Sequence, residues 1–201
     1  GGNVGLWLKK LMNIHSNIDS NSIDEINASE SNLELENMLL RSKPDSHGLT
    51  VLPFLAGERA VGWAENATGT LTGIRLSTTK TEIYQAFLES IAYRFGLVSK
   101  RLMTLLQEDC LVVASGGAVQ SSKYWLQMLS DVLGMRVGVS NVPEDTGRGT
   151  AILALNAMGI SNSFDDFDFE VSEFYDPNEK NMIIYQNAMN RQEDLYSKIF
   201  N

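Results

Sequence analysis

The residues with the clearest chemical potential are a glycine pair, Gly116 and Gly117, set directly after a β-rich run, Leu111 to Ala114, and before a helix-forming segment. Backbone without side chains lets a ligand come close, and the following helix offers N–H groups that lack intrahelical partners. In an α/β sheet such a turn lies beyond the carboxyl end of a strand, where small ligands settle, so a nucleotide is a physically reasonable occupant. The same pattern also makes a tight strand-to-helix connection with nothing bound, and taken alone it favours that plainer role.

The other candidates are weaker. Glu58 and Arg59 are adjacent and read as an ion pair or hydrogen-bond hub whose simplest task is to stabilise a loop. His15 and His47 stand isolated in polar stretches, so neither is read as a metal ligand or general base. Lys123 and Arg148 could approach phosphates, with a solvated charge at a helix end as the simpler role of each. The acidic run SNSFDDFDFEVSEF has no spaced histidine or glycine turn to make it a cation site; it reads as a solvated connector pinned by Phe164, Phe167 and Phe169. No metal ligand is expected in this chain.

The elements that must position these groups follow from spacing. After the glycine pair, Tyr124, Trp125, Met128, Leu129, Val132 and Leu133 repeat at the interval of a core-facing helical stripe. Val4, Trp7, Leu8 and Leu11 define one face of an opening helix; a Ser-, Asn- and Asp-rich excursion from about residue 15 leads to a short helix near Leu33 to Leu40. LTVLPF reads as extended up to Pro53, and LTGIRL as a strand weakened or bulged at Gly73. Thr79 and Glu82 fit a capping box that opens a long helix with Ile83, Phe87, Leu88, Ile91, Phe95, Val98, Leu102 and Leu105 on its stripe. MRVGVSNV is a further strand, residues 143–149 a turn, and Ala151 to Met158 a small-residue helix ended by Gly159. A last helix begins after Asp176 and Pro177, with Ile183, Tyr185, Met189, Tyr196 and Phe200 as its apolar contacts. Strands alternating with helices make the class α/β.

Composition narrows the partners. The 201 residues are 43% hydrophobic and 20% charged, enough for a substantial core. A net charge of -9 argues against a general nucleic-acid or acidic-membrane binder, though backbone N–H groups can hold a phosphate without net positive charge. No window is long and apolar enough to span a membrane. The single cysteine, Cys110, reads as a buried thiol in a reducing, cytoplasmic setting. The opening GGNVGLWLKKLM lacks an initiator methionine, so the chain reads as part of a longer protein.

Four segments in order, GGNVGLWLKKL, LPFLAGERAVGW, ASGGAVQSSKYWLQMLSDVLGMRV and EDTGRGTAILALNAMG, with the closing YDPNEKNMIIYQNAMNRQEDLY, resemble the carboxyl-terminal domain of the FGGY family of carbohydrate kinases. The resemblance implies a ribonuclease-H-like, actin-type ATPase fold, a mixed sheet flanked by helices. It makes residues 1–201 the C-terminal nucleotide-binding domain, with the N-terminal sugar-binding domain outside this chain. The implied activity is ATP-dependent phosphorylation of a hydroxyl on a sugar or sugar acid, with ATP and Mg2+ as cofactors. The catalytic aspartate, the sugar contacts and the acidic Mg2+ contacts are all implied upstream, so the chain alone is expected to be inactive.

By the same resemblance, Gly116 and Gly117 let the adenosine lie against the turn, and Ser121 stands where some relatives carry Asn near the base or ribose. Gly2 matches a glycine near the phosphates. Leu6 replaces a Gln that some relatives place by the nucleotide. GRGT, Gly147 to Thr150, opens a helix facing the same region, with helix packing as its simpler role. Trp63 in VGW is closer to gluconate kinases than to xylulose kinases. A non-catalytic nucleotide-binding or assembly module on the same scaffold is the alternative, and oligomeric state stays open, a homodimer included.

Overall fold

Thr79 accepts the backbone N–H of Glu82, and the Glu82 carboxylate accepts the N–H of Thr79 at 2.7 Å, so two orphan donors are satisfied where the longest helix starts. In the computed structural model, which describes residues 2–12, 22–105, 110–142, 144–167 and 170–200, that helix is α3, Lys80–Leu102. Every residue from Tyr84 to Tyr93 is buried. A stripe accounts for only part of this, because α3 is packed by α1 (Gly2–Leu11), α2 (Ser22–Arg41), α5 (Lys123–Leu133) and α7 (Glu179–Phe200). Farther along, Phe95, Leu102 and Leu105 of the expected stripe are exposed.

Two sheets flank this helix layer. Strands β1 (Thr50–Leu52) and β2 (Thr70–Thr72) pair antiparallel. Strand β3 (Val112–Ala114) runs parallel to β4 (Val137–Ser140), and β5 (Val171–Tyr175) joins β4 antiparallel, giving the expected mixed sheet. The main core gathers Leu8, Leu39, Leu49, Phe87, Trp125, Met128 and Met189 around α3, while Leu52, Phe54 and Ala67 form a second cluster under Tyr196 and Phe200 of α7.

Several expectations are corrected. The segment taken as an acidic connector contains all but the last residue of β5, preceded by a 3-10 turn at Phe164–Asp166; Phe164 is exposed, and Phe169 lies outside the described residues. Helix α6 (Asp145–Ala157) takes in most of the expected turn, so GRGT lies within its first turns, and none of its residues is buried. Helix α2 is longer than the short helix expected, and His15 lies outside the described residues. Gly73 ends β2 rather than bulging it: its φ is 88°, and a Cβ there would stand 2.5 Å from the Gly48 carbonyl oxygen. Trp7 and Leu11 of α1 and Ile183 of α7 are exposed, with Leu8 carrying the α1 contact, and Cys110 is half-buried. No described helix is long and apolar enough to cross a membrane.

Candidate functional site

Because β3 and β4 are parallel, the segments that leave their carboxyl ends emerge at one edge of the sheet. Gly116 follows β3 with φ 93°, a conformation costly for other residues, and caps the four-residue helix α4 (Gly117–Gln120). A Cβ built at Gly116 or Gly117 meets nothing within 4 Å, so the space above the turn is open. The turn is tied to the neighbouring strand by Gln120, whose side-chain amide donates to the Ser140 carbonyl at 3.0 Å. The start of α6, with Gly147 and Gly149 also open, leaves the adjacent strand at the same edge.

Next to this turn is a cavity of about 460 Å³ between α1, α2, α3 and α5. Leu6 and Ser121, 115 positions apart in the chain by number, both line it, so tertiary structure brings together two of the five sequence-derived residues. Gly2 is the first residue of α1, one turn before Leu6. Gly116 and Gly117 are exposed at the far end of α4 from Ser121 and are not among the cavity's lining residues.

The cavity's floor is apolar, with Leu35, Leu39, Leu88 and Trp125, while Lys9, Asn32 and Glu36 supply charge and polarity. Lys9 donates to the Asn32 side-chain oxygen at 2.6 Å. Burial lowers the Lys9 pKa, and the nearby Glu36 carboxylate partly counters this. Tyr84 is pushed up to about 12 by burial and by Glu36, so it stays a neutral hydroxyl near neutral pH. The indole N–H of Trp125 is buried without an acceptor among the described residues. Sequence reading missed Lys9, Asn32 and Glu36. The available signal was their spacing: Lys9 falls three residues after Leu6, and Asn32 and Glu36 are four apart, each pair sharing a helix face.

Glu58 and Arg59 do not form the expected pair. Glu58, 3% exposed, instead meets Arg94 of α3 and accepts from the N–H groups of Val61, Gly62 and Ala64 and from the Tyr196 hydroxyl at 2.7 Å. Arg59 is exposed. The hub therefore ties the 58–64 loop to α3 and α7. Trp63 in this loop is 73% exposed.

His47 is not isolated either. Its Nδ1 accepts the Leu49 N–H at 2.9 Å, which places the ring proton on Nε2, 3.1 Å from the Glu89 carboxylate. Asp45, His47 and Glu89 bring possible ligand atoms within 4.8 Å of one another. Those atoms are already engaged. Glu89 also accepts from Asp45 N–H, Gln85, Tyr93 and Tyr124, and Asp45 holds Arg191 through both its oxygens. The set is a closed hydrogen-bond network that fastens the 45–49 segment to α3 and α7, with no lone pair of His47 left for a cation.

A model described as the FGGY family of carbohydrate kinases, C-terminal domain, matches residues 1–158. A gluconokinase of Bacillus subtilis is 34% identical over 125 residues, covering 62% of this chain and 24% of that protein. A glycerol kinase of Oleidesulfovibrio alaskensis is 35% identical over 152 residues, covering 72% and 29%. The crystal structure of a ligand-bound xylulose kinase from Lactobacillus acidophilus superposes with a TM-score of 0.77 at 20% identity, covering 99% of this chain and 38% of that one, which establishes a shared fold. The chain spans about a quarter to a third of the length of these curated relatives.

Proposed function

This chain belongs to the FGGY family of carbohydrate kinases, and from that premise we propose that it is the nucleotide-holding, C-terminal part of an ATP-dependent kinase acting on a hydroxyl of a sugar or sugar acid. The observation that carries the reading is the bare glycine turn at the carboxyl edge of β3, open above both glycines and adjoining the cavity that Leu6 and Ser121 share. The open backbone and the apolar cavity floor fit a purine nucleotide, and ATP bound there supplies the phosphoryl group.

The chain's own residues bind and orient. Gly116 and Gly117 let the nucleotide lie close to backbone, Leu6 and Ser121 flank the base or ribose, and Gly2 stands at the start of α1 on the phosphate side. The clustered Asp45, His47 and Glu89 side chains are taken up by hydrogen bonds of their own, and the Mg2+ contacts are assigned to the upstream domain. The proton acceptor and the sugar contacts belong, in this reading, to the upstream domain, and closure of the two domains excludes water from the transfer. The setting proposed is cytoplasmic.

The test is Gly117→Val in the full-length protein. Because the site of the new side chain is open, the fold is retained, and calorimetric titration gives weaker ATP binding with sugar binding unchanged. Equal ATP affinity in the variant removes the glycine pair from the site.

A further inference from the structure

We infer that Glu36 is a positioning residue for the nucleotide site, one that sets the separation between the two segments facing each other across the cavity; this rests on the reading of that cavity as the nucleotide's. One bank is α1, carrying Leu6. The other is the junction of α4 and α5, where Ser121 ends one helix and Ser122 caps the next. Helix α2 bonds to both. On the α5 side, Glu36 Oε2 accepts the Ser122 hydroxyl at 2.8 Å and Oε1 accepts the Tyr124 N–H at 2.9 Å. The Ser122 hydroxyl in turn accepts the Trp125 N–H at 3.1 Å. On the α1 side, Asn32, one helical turn from Glu36, accepts Lys9, and the Lys9 ammonium feels the Glu36 charge.

The first turn of α5 is thus capped by its own serine and by a carboxylate from another helix. An anion is favoured there by the helix dipole and by N–H groups with no intrahelical partner. Two consequences follow. The α5 N-terminus is closed to a phosphate, in keeping with phosphates placed by Gly2 at the start of α1. In addition, Ser121, next in chain to a residue bonded to Glu36, is held at a distance from Leu6 that α2 dictates. A change at Glu36 therefore acts on nucleotide affinity through Ser121 and the cavity width, without any contact between Glu36 and the reacting atoms.

The experiment titrates the full-length protein with ATP for the parent sequence, Glu36→Ala and Glu36→Gln, with the melting temperature of each unliganded protein measured in parallel. Glu36→Ala is expected to weaken ATP binding about five- to tenfold, as for loss of charge-assisted bonds at a helix start. Glu36→Gln, which keeps an acceptor for the Tyr124 N–H, is expected to regain most of the affinity. If Glu36→Ala does not fold, Glu36→Asp carries the test, since it keeps the charge but shortens the reach by a methylene and should also weaken ATP binding. A lowered melting temperature with parental ATP affinity in either variant overturns the inference, because Glu36 then serves stability alone. Failure of the parent protein itself to bind ATP is a separate result that removes the underlying reading and this inference with it.

Discussion

Glu58 is the residue whose removal should be felt most widely, and the cost can be worked from its partners. Its carboxylate takes Val61 N–H at 2.9 Å, Gly62 N–H at 3.1 Å, the Tyr196 hydroxyl at 2.7 Å and a longer bond from Ala64, and it pairs with Arg94. Its side chain is 1% exposed, so water does not replace these bonds when the carboxylate is lost. Truncation to alanine leaves a largely buried guanidinium and several donors unpaired, which costs about 3–5 kcal/mol. Glutamine fills the same volume and keeps one acceptor, so Glu58→Gln should cost about 2 kcal/mol. Urea unfolding of this chain followed by circular dichroism measures both, with the slope of the transition unchanged. The pH dependence is a second check. Burial alone would raise the Glu58 pKa, but the bonds from Tyr196, Gly62 and Ala64 and the charge of Arg94 outweigh it and hold the group below its ordinary value of 4.5. A depressed carboxylate pKa stabilises the fold fully above the unfolded value, and that contribution is lost as pH falls through the folded value. The gap between parent and Glu58→Gln should therefore be widest near neutrality and narrow as pH falls below the ordinary carboxylate value of 4.5. A Glu58→Ala cost under about 1 kcal/mol, or a gap that stays constant into acid, would refute the reasoning.

Two other outcomes are expected. Gly73→Ala should destabilise the chain by about 2 kcal/mol or more, because the new Cβ meets the Gly48 carbonyl oxygen at 2.5 Å on a backbone with φ 88°; an unchanged urea midpoint would contradict this. The 201-residue chain alone should transfer no phosphoryl group from ATP to gluconate, xylulose or glycerol, and measurable turnover in a coupled assay would overturn the division of labour between the two halves.

Much of the local architecture was legible before any coordinates. The Thr79–Glu82 box acts within one turn, and the stripe of α5 is strongly one-sided, so both follow from neighbours three and four residues apart. The glycine pair after an apolar run read correctly as strand, turn and helix. Strand β5 did not, because it is an edge strand whose residues are all exposed or half-buried, and it carries little of the hydrophobic alternation that marks a strand. Burial on every side of α3 from Tyr84 to Tyr93 was hidden too, since Gln85 and Glu89 are polar residues whose partners Lys43 and His47 lie on another segment, while Ser90 bonds the Phe87 carbonyl of its own helix.

The candidate site divides the same way. Residue types and short spacings were enough to determine the glycine turn and the helix that follows it, because those depend on backbone freedom and on contacts within a turn or two, whereas the family was legible only as a resemblance carried by several segments in order. Tertiary structure alone decided that Glu58 answers to Arg94 rather than Arg59, that His47 is locked against Glu89, and that Glu36 caps a helix 86 positions further along. Such pairings are selected by burial, where an unpaired charge or N–H is expensive, and burial belongs to the packed chain rather than to any stretch of it.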